Sequence, residues 1–425
     1  MQPTDAESAV LSAIDETALV DSLRELIRVP SITGADAETE LHAQQATQLS
    51  MLDFDVDHWK FDLDDLRSHA DFPGSEAPRS EAYGVVGTIG GHCGELPTLV
   101  LQGHIDVVPT GDLSKWKDND PFSADIYDGA VHGRGACDMK AGVAVNMAVA
   151  RALRASGVVL EKPFAVHAVV SEEDGGLGAF GTMMRGHRGE AAVITEPTSG
   201  RIITANAGAL TFELRVAGRA AHGSTRLEGV SALDAFLPIY SALGELERER
   251  NRDPHVLFAG SPLPYPLSIG RVTTGDWASS VPDLLVAQGR LGVQLDESPD
   301  AARWQFEAAV ARACSRDAWL RDHPAEVTWP GGQFASGRIH DEHDLIDEVF
   351  AAVSDTTGHG PARAGAPYGS DLRLYSQLGL IPTLHYGPGD VRFAHAPREQ
   401  VLISELLETA RALAVLAVRR CDAHL

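Results

Sequence analysis

The residues best suited to chemistry fall where strand-like apolar runs give way to polar residues. Leu99-Val100-Leu101-Gln102-Gly103 leads into His104-Ile105-Asp106. Side chains two apart in a strand share a face, so His104 and Asp106 point the same way. An imidazole that binds a metal through one nitrogen commonly donates its other N–H to a carboxylate. His-x-Asp supplies both groups, although such a pair taken alone is more often incidental. The segment Gly133-Arg134-Gly135-Ala136-Cys137-Asp138-Met139-Lys140-Ala141-Gly142 places Asp138 just ahead of an expected long helix. There Asp138 reads either as a helix N-cap or as a carboxylate bridging two ions roughly 3.5–4 Å apart. The apolar run ending at Val170 enters Ser171-Glu172-Glu173-Asp174-Gly175-Gly176. Consecutive acids at a strand exit are costly unless they are solvated or bind cations. They form either a solvated turn or a division of labour, with one ligating metal and its neighbour acting as general base on a metal-bound water. Thr195-Glu196-Pro197-Thr198 adds another carboxylate at the same edge. Ala394-His395-Ala396-Pro397-Arg398-Glu399, preceded by Gly387-Pro388-Gly389, adds a second histidine. Together these groups suit zinc or another borderline divalent ion.

Positioning such groups requires strands that end at one edge. An amphipathic helix is expected over Thr17–Arg28, with Leu19, Leu23, Leu26 and Ile27 on one face, stopped by Pro30. A second helix is expected from about Ala37 to Met51, and the acidic, aperiodic stretch Asp62–Glu81 reads as a surface loop. Strands follow at Tyr83–Ile89 and Thr98–Gln102, then a long helix after Met139, then strands at Phe164–Val170 and Ala191–Thr195. This alternation predicts an α/β domain with a mainly parallel sheet, and sites in such sheets form beyond the carboxyl ends of the strands. From Ala207 the order changes: strand Leu210–Val216, helix Ser231–Arg250, strands Leu267–Thr273 and Leu284–Val293, helix Pro299–Ser315, strand Glu326–Trp329. That is the βαββαβ order of a ferredoxin-like α+β unit. A strand at Ile381–Tyr386 and a final helix over Pro397–Arg419 return to the first pattern. The expected organisation is a catalytic domain, residues 1–206 and 334–425, interrupted by an inserted domain at 207–333.

Composition narrows the field further. The 425 residues carry 60 acidic and 35 basic side chains, a formal net charge of −25. Such a surface repels phosphate backbones and anionic lipid, so nucleic acid and membranes are poor partners. Met1–Val20 lacks the basic and apolar regions of a signal peptide, and no apolar stretch reaches the roughly 20 residues of a membrane span. Cys93, Cys137, Cys314 and Cys421 are widely spaced with no C-x-x-C pair. They read as unpaired thiols in a reducing cytoplasm.

The combination G-H-x-D, G-R-G-x-x-D-M-K, E-E and E-P-T, in this order, resembles the di-zinc metallopeptidase family of acetylornithine deacetylase, succinyl-diaminopimelate desuccinylase, aminoacylase and glutamate carboxypeptidase. The matching segments run from His104 to His395. The resemblance implies two divalent ions, zinc with cobalt or manganese as alternatives, held by His104, Asp138, Glu173, Glu196 and His395, with Asp138 bridging. It makes Glu172 the general base, Asp106 the group that orients His104, and the Asp138–Met139 peptide cis. The inserted unit corresponds to the family's lid, where Gly218-Arg219-Ala220-Ala221-His222-Gly223 is similar to a histidine motif that reaches the substrate carbonyl, often in the partner subunit. A homodimer through the lid is therefore implied. Substrate contacts are implied for Arg290, Ser370, Arg373 and Gly387. Two departures stand out: Ala278-Ser279-Ser280-Val281-Pro282 lacks the asparagine of an N-x-V-P-like turn, and Gln288-Gly289-Arg290 stands where relatives show D-x-R. The expected activity is hydrolysis of the amide of a small N-acylated amino acid or related compound. A dipeptidase or carboxypeptidase, or an inactive binding protein on the same fold, is the alternative.

Overall fold

A computed structural model describes residues 3–425 other than Cys93; Met1, Gln2 and Cys93 lie outside the described residues. The largest sheet has nine strands. In spatial order along its path these are Asp55–Lys60, Tyr83–Ile89, Phe164–Val169, Leu99–His104, Ala192–Ile194, Thr383–His385, Ile202–Asn206 and Gly337–Arg338, with Arg363–Ala366 pairing to Ile202–Asn206. Its four central strands are parallel, with Leu99 opposite Phe164, Gln102 opposite Ile194 and Leu384 opposite Val193. Antiparallel pairs finish both sides. The sheet is thus mixed: parallel at its centre, with one further parallel pair where Arg363–Ala366 lies beside Ile202–Asn206. Strands Phe164–Val169 and Leu99–His104 are buried along their whole length, which accounts for their unbroken apolar sequence.

Helix Lys140–Ala155 is almost wholly buried and packs between the sheet and helices Glu16–Arg28 and Ile403–Arg420. It follows an unusual approach, because the Asp138–Met139 peptide is cis and Asp138 does not cap the helix. Lys140 is buried, and its Nζ donates to the carbonyls of Leu26 and Val29 at 2.9 and 2.8 Å. These carbonyls sit at the end of helix Glu16–Arg28, so the lysine fastens the loop of Asp138 to the first large helix.

A separate five-stranded antiparallel sheet runs Leu267–Thr274, Leu284–Val293, Gly208–Ala217, Glu326–Thr328, with Gln333–Phe334 also on Gly208–Ala217. Helices Ala232–Arg250 and Pro299–Arg316 pack together beside it. Leu210, Phe212, Leu214 and Val216 alternate inward and join Phe236, Ile239, Leu285 and Phe306 in a hydrophobic cluster distinct from that under the large sheet. The strand order is that of a ferredoxin-like unit.

Several boundaries differ from those read in the sequence. Strand Asp55–Lys60 and helix Asp5–Ser12 were not expected, and the stretch 62–81 begins with helix Leu63–Ser68. The last helix starts at Ile403 rather than Pro397, because Gln400–Leu402 pairs with Ala130–His132. Cys137, Cys314 and Cys421 are buried free thiols. Among the described residues no helix is long and apolar enough to cross a membrane.

Candidate metal centre

The four parallel strands deliver their carboxyl ends to one place. His104 ends its strand, Glu172 and Glu173 follow Phe164–Val169, Glu196 follows Ala192–Ile194, and the segment to His395 follows Thr383–His385. Convergence at that edge is what an open parallel sheet provides. Close backbone approach completes it: a Cβ on Gly142 would lie 2.1 Å from the Thr195 carbonyl oxygen, and one on Gly387 would lie 2.5 Å from that of Glu196.

Two donor groups result. His104, Asp138 and Glu196 form one; Asp138, Glu173 and His395 form the other, with ligand atoms in each group lying within 4.8 Å of one another. Asp138 turns one carboxylate oxygen toward each: Oδ1 is 3.3 Å from His104 Nε2 and Oδ2 is 3.4 Å from His395 Nε2. Glu196 Oε1 lies 3.8 Å from His104 Nε2, and Glu173 Oε2 lies 3.1 Å from His395 Nε2. His104 is oriented from behind. Its Nδ1 is 3.0 Å from the Asp106 carbonyl oxygen and 3.5 Å from the Asp106 carboxylate. An Nδ1–H donating there leaves the Nε2 lone pair aimed at Asp138 and Glu196.

The charge balance of the centre fits divalent cations. Burial pushes the Glu196 carboxyl well above its usual range, and the Asp138 charge adds to this. The Glu173 carboxylate, ahead of other influences, pushes His395 up to about 11. A proton held that tightly marks a negative potential that a bound cation would satisfy. Nitrogen and oxygen donors in this mixture suit borderline divalent metals.

Glu172 belongs to neither donor group. It is buried, its peptide N–H donates to Asp106 Oδ1 at 3.2 Å, and its carboxylate makes no hydrogen bond among the described residues. Burial raises that carboxyl well above its ordinary value; His104 opposes the shift, while Glu196 and Asp371 reinforce it. An unligated carboxylate with raised basicity beside a metal cluster has the properties of a proton acceptor.

A buried network not read in the sequence holds this loop. Asp106 accepts the peptide N–H groups of Glu172 and Glu173 at 3.2 and 3.3 Å. Glu38 accepts the Ser171 N–H at 3.1 Å, Gly34 N–H at 2.9 Å and Arg79 Nη1 at 3.1 Å. Asp174, far from being solvated, accepts the Ser171 hydroxyl and the peptide N–H groups of Glu76 and Ala77, and its Oδ1 lies 3.7 Å from Arg79 Nη2. These bonds hold Ser171 at φ 63°, a left-handed conformation that non-glycine residues rarely adopt without such support. Across the site, Glu399 Oε1 accepts the N–H groups of Cys137 and Asp138, both at 3.1 Å, while its Oε2 pairs with Arg134 at 2.5 Å. Glu399 and Arg134 stood inside recognised motifs, and that adjacency was the only signal in the sequence. Glu38 and Arg79 had none, since their meeting depends on the tertiary fold.

The residues expected at the substrate lie less uniformly. His222 is exposed on the second sheet unit, where Ala221–His222 pairs with Ser280–Val281 and Nδ1 is 2.7 Å from the Ser224 hydroxyl. Ser370 is buried with its hydroxyl 3.0 Å from His385 Nε2. Arg373 is buried and donates to the carbonyls of Ser370 and Gly175, both at 2.6 Å. Arg290 is half-buried and pairs with Glu76 at 3.1 Å.

Residues 100–419 match the model of Peptidase family M20/M25/M40. The chain belongs to this family. Among curated relatives, N-formyl-4-amino-5-aminomethyl-2-methylpyrimidine deformylase of Bacillus subtilis (strain 168) is 25% identical over 400 residues, covering 89% of this chain and 88% of the relative. Acetylornithine deacetylase of Erwinia tasmaniensis is 26% identical over 394 residues, covering 89% and 92%. Among solved structures, human carnosine dipeptidase 1 superposes with a TM-score of 0.76 at 15% identity, over 98% of this chain and all of that one. The family's α/β fold therefore extends over nearly the whole chain.

Proposed function

We propose that this member of the M20 family is an amide hydrolase of the deacylase type. It would release an amine from a small N-acylated compound at a centre of two divalent ions, zinc being the best fit to the donors. The observation that carries the reading is the pair of donor groups sharing Asp138, with Glu172 beside them and unligated. Relatives named as a deformylase and a deacetylase support it.

Divalent cations bound here would supply the charge that acidifies a water and polarises the amide carbonyl. His104, Asp138 and Glu196 would hold one of them, and Asp138, Glu173 and His395 the other. Asp106 fixes the tautomer of His104 and, through the Glu172 N–H, the position of the base. Glu172 takes a proton from the attacking water and returns it to the nitrogen as the C–N bond breaks. Residues 207–333 act as a lid that excludes water when substrate is bound. His222 faces solvent within its own chain, so its reading as an oxyanion donor requires a second copy. Leu233, Leu237 and Tyr240, spaced along one face of helix Ala232–Arg250 and 43%, 54% and 58% exposed, support a homodimer through that helix. The protein's surroundings are taken as cytoplasmic, in keeping with its free buried thiols.

The test is release of amine from N-formyl, N-acetyl and N-succinyl compounds and dipeptides by zinc-loaded protein, with Glu172→Gln as control. Turnover that disappears in the control supports the reading. Turnover of dipeptides alone would favour a dipeptidase, and turnover that persists in Glu172→Gln would remove the proposed base.

A further inference from the structure

Two arginines, one from each sheet unit, lie over the Phe334 ring, and both are already engaged. Arg373 lies over the Phe334 ring at 4.0 Å from its centroid and gives both terminal nitrogens to backbone carbonyls. Arg290, on strand Leu284–Val293, lies over the same ring at 5.6 Å. Its Nη2 pairs with Glu76 Oε1 at 3.1 Å. That same oxygen accepts the Thr211 hydroxyl at 2.8 Å and the Gly332 N–H at 3.3 Å. Glu76 is itself fixed in the catalytic unit, because its N–H and that of Ala77 donate to Asp174, two residues beyond Glu172. The chain packs tightly here: a Cβ on Gly175 would lie 2.2 Å from the Gly74 carbonyl oxygen. Glu76 therefore links the loop of the base, through its backbone N–H to Asp174, with the arginine of the second unit, through its carboxylate.

A guanidinium that is to receive a substrate carboxylate needs an unopposed fork of donors. Here Arg290 pairs with Glu76, both terminal nitrogens of Arg373 already donate to backbone carbonyls, and a carboxylate approaching Arg290 meets the Glu76 charge. Like charges brought together at a binding surface are strongly disfavoured. Resting on the amide-hydrolase reading, we propose that Glu76 is a specificity determinant that rejects carboxylates, and that the substrates are N-acyl amines with no carboxylate beside the scissile nitrogen. Glu76 Oε2, which makes none of these bonds, offers a further acceptor to an amine or ammonium group.

N-formylbenzylamine and N-formylphenylglycine differ only by the carboxylate and form the test pair. Zinc-loaded wild type is expected to favour the benzylamine compound in kcat/KM by about tenfold or more, a difference of about 1.4 kcal/mol at the limit. Glu76→Gln retains an acceptor for Thr211 and Gly332 but lacks the charge. It should narrow the preference about tenfold, and adding Arg290→Met should restore it by removing the cation. Calorimetric binding of benzylamine and phenylglycine to the same proteins should show the same ordering without turnover. A wild type that prefers the phenylglycine compound overturns the proposal, as does a ratio unmoved by Glu76→Gln. If neither compound is cleaved, the amide-hydrolase reading fails for this pair, while the binding ratios still decide the role of Glu76.

Discussion

Arg79→Met removes the arginine that, among the described residues, pairs with both Glu38 and Asp174, and its cost can be reasoned from the geometry. Arg79, Glu38 and Asp174 have side chains 2%, 4% and 7% exposed, and Arg79 lies 3.1 Å from one carboxylate and 3.7 Å from the other. Breaking a buried pair by deleting one partner typically costs about 3–5 kcal/mol, because the remaining charge is left uncompensated. The lower end, about 3 kcal/mol, applies here because Glu38 is largely protonated near neutrality, leaving Asp174 as the main carboxylate without its cation. Burial, followed by the Asp106 charge, already pushes the Glu38 carboxyl up to about 8, while Arg79 holds it down. A carboxyl raised in the folded state contributes stability that is complete below its ordinary value of 4.5 and is lost as pH rises to about 8. Without Arg79 the folded-state value rises further. The wild type then has nothing more to lose through Glu38 above pH 8, whereas the variant continues to lose stability. Urea unfolding at pH 6, 7 and 9 should show a deficit of about 3 kcal/mol near neutrality that widens at pH 9. Turnover should fall as well, because the same carboxylates anchor the Ser171–Asp174 backbone. A variant within about 0.5 kcal/mol of wild type, or a gap that narrows as pH rises, refutes this account.

Three other outcomes are expected. Glu172→Gln should keep its metal content while kcat falls by about 10²–10⁴-fold, the usual range for a lost general base; metal analysis beside single-turnover kinetics checks both halves. His104→Ala and His395→Ala should each leave one of the two donor groups intact, so equilibrium dialysis should find about one tightly held ion per chain in each and fewer in the double variant. His222→Ala should bind metal normally yet turn over slowly. Mixing it with inactive Glu172→Gln protein should recover activity if the histidine acts across a dimer, and an inert mixture would confine His222 to its own chain.

The groups that the structure gathers were legible in part because His104, Glu172, Glu173 and Glu196 stand in short segments at the ends of buried strands, whereas Asp138 precedes helix Lys140–Ala155 and His395 lies in the loop beyond Thr383–His385. In such segments residue type and facing are local properties. The second unit was legible for a similar reason: its strands alternate and its helices carry Ser231 and Ser298 as N-caps. Strand Asp55–Lys60 escaped notice because it lies at a sheet edge, where half-exposed DVDHWK shows little of the apolar pattern that marks a strand. The stretch after Asp62 read as a solvated loop because its charges outnumber its apolar residues.

By itself, then, the sequence pointed to the side chains that the structure gathers into two donor groups, and to Glu172 near them, since residue type and strand position are local properties. Only the tertiary structure decided which charges are already spoken for. Glu38 meets Arg79 across 41 residues of chain and Glu76 meets Arg290 across 214. No local pattern encodes such pairings, because an ion pair depends on distance in space and on the water excluded around it. That is why Asp174, read as a member of an acidic turn, became an anchor for the loop of the base. It is also why Arg290, expected at the substrate, faces a carboxylate of its own.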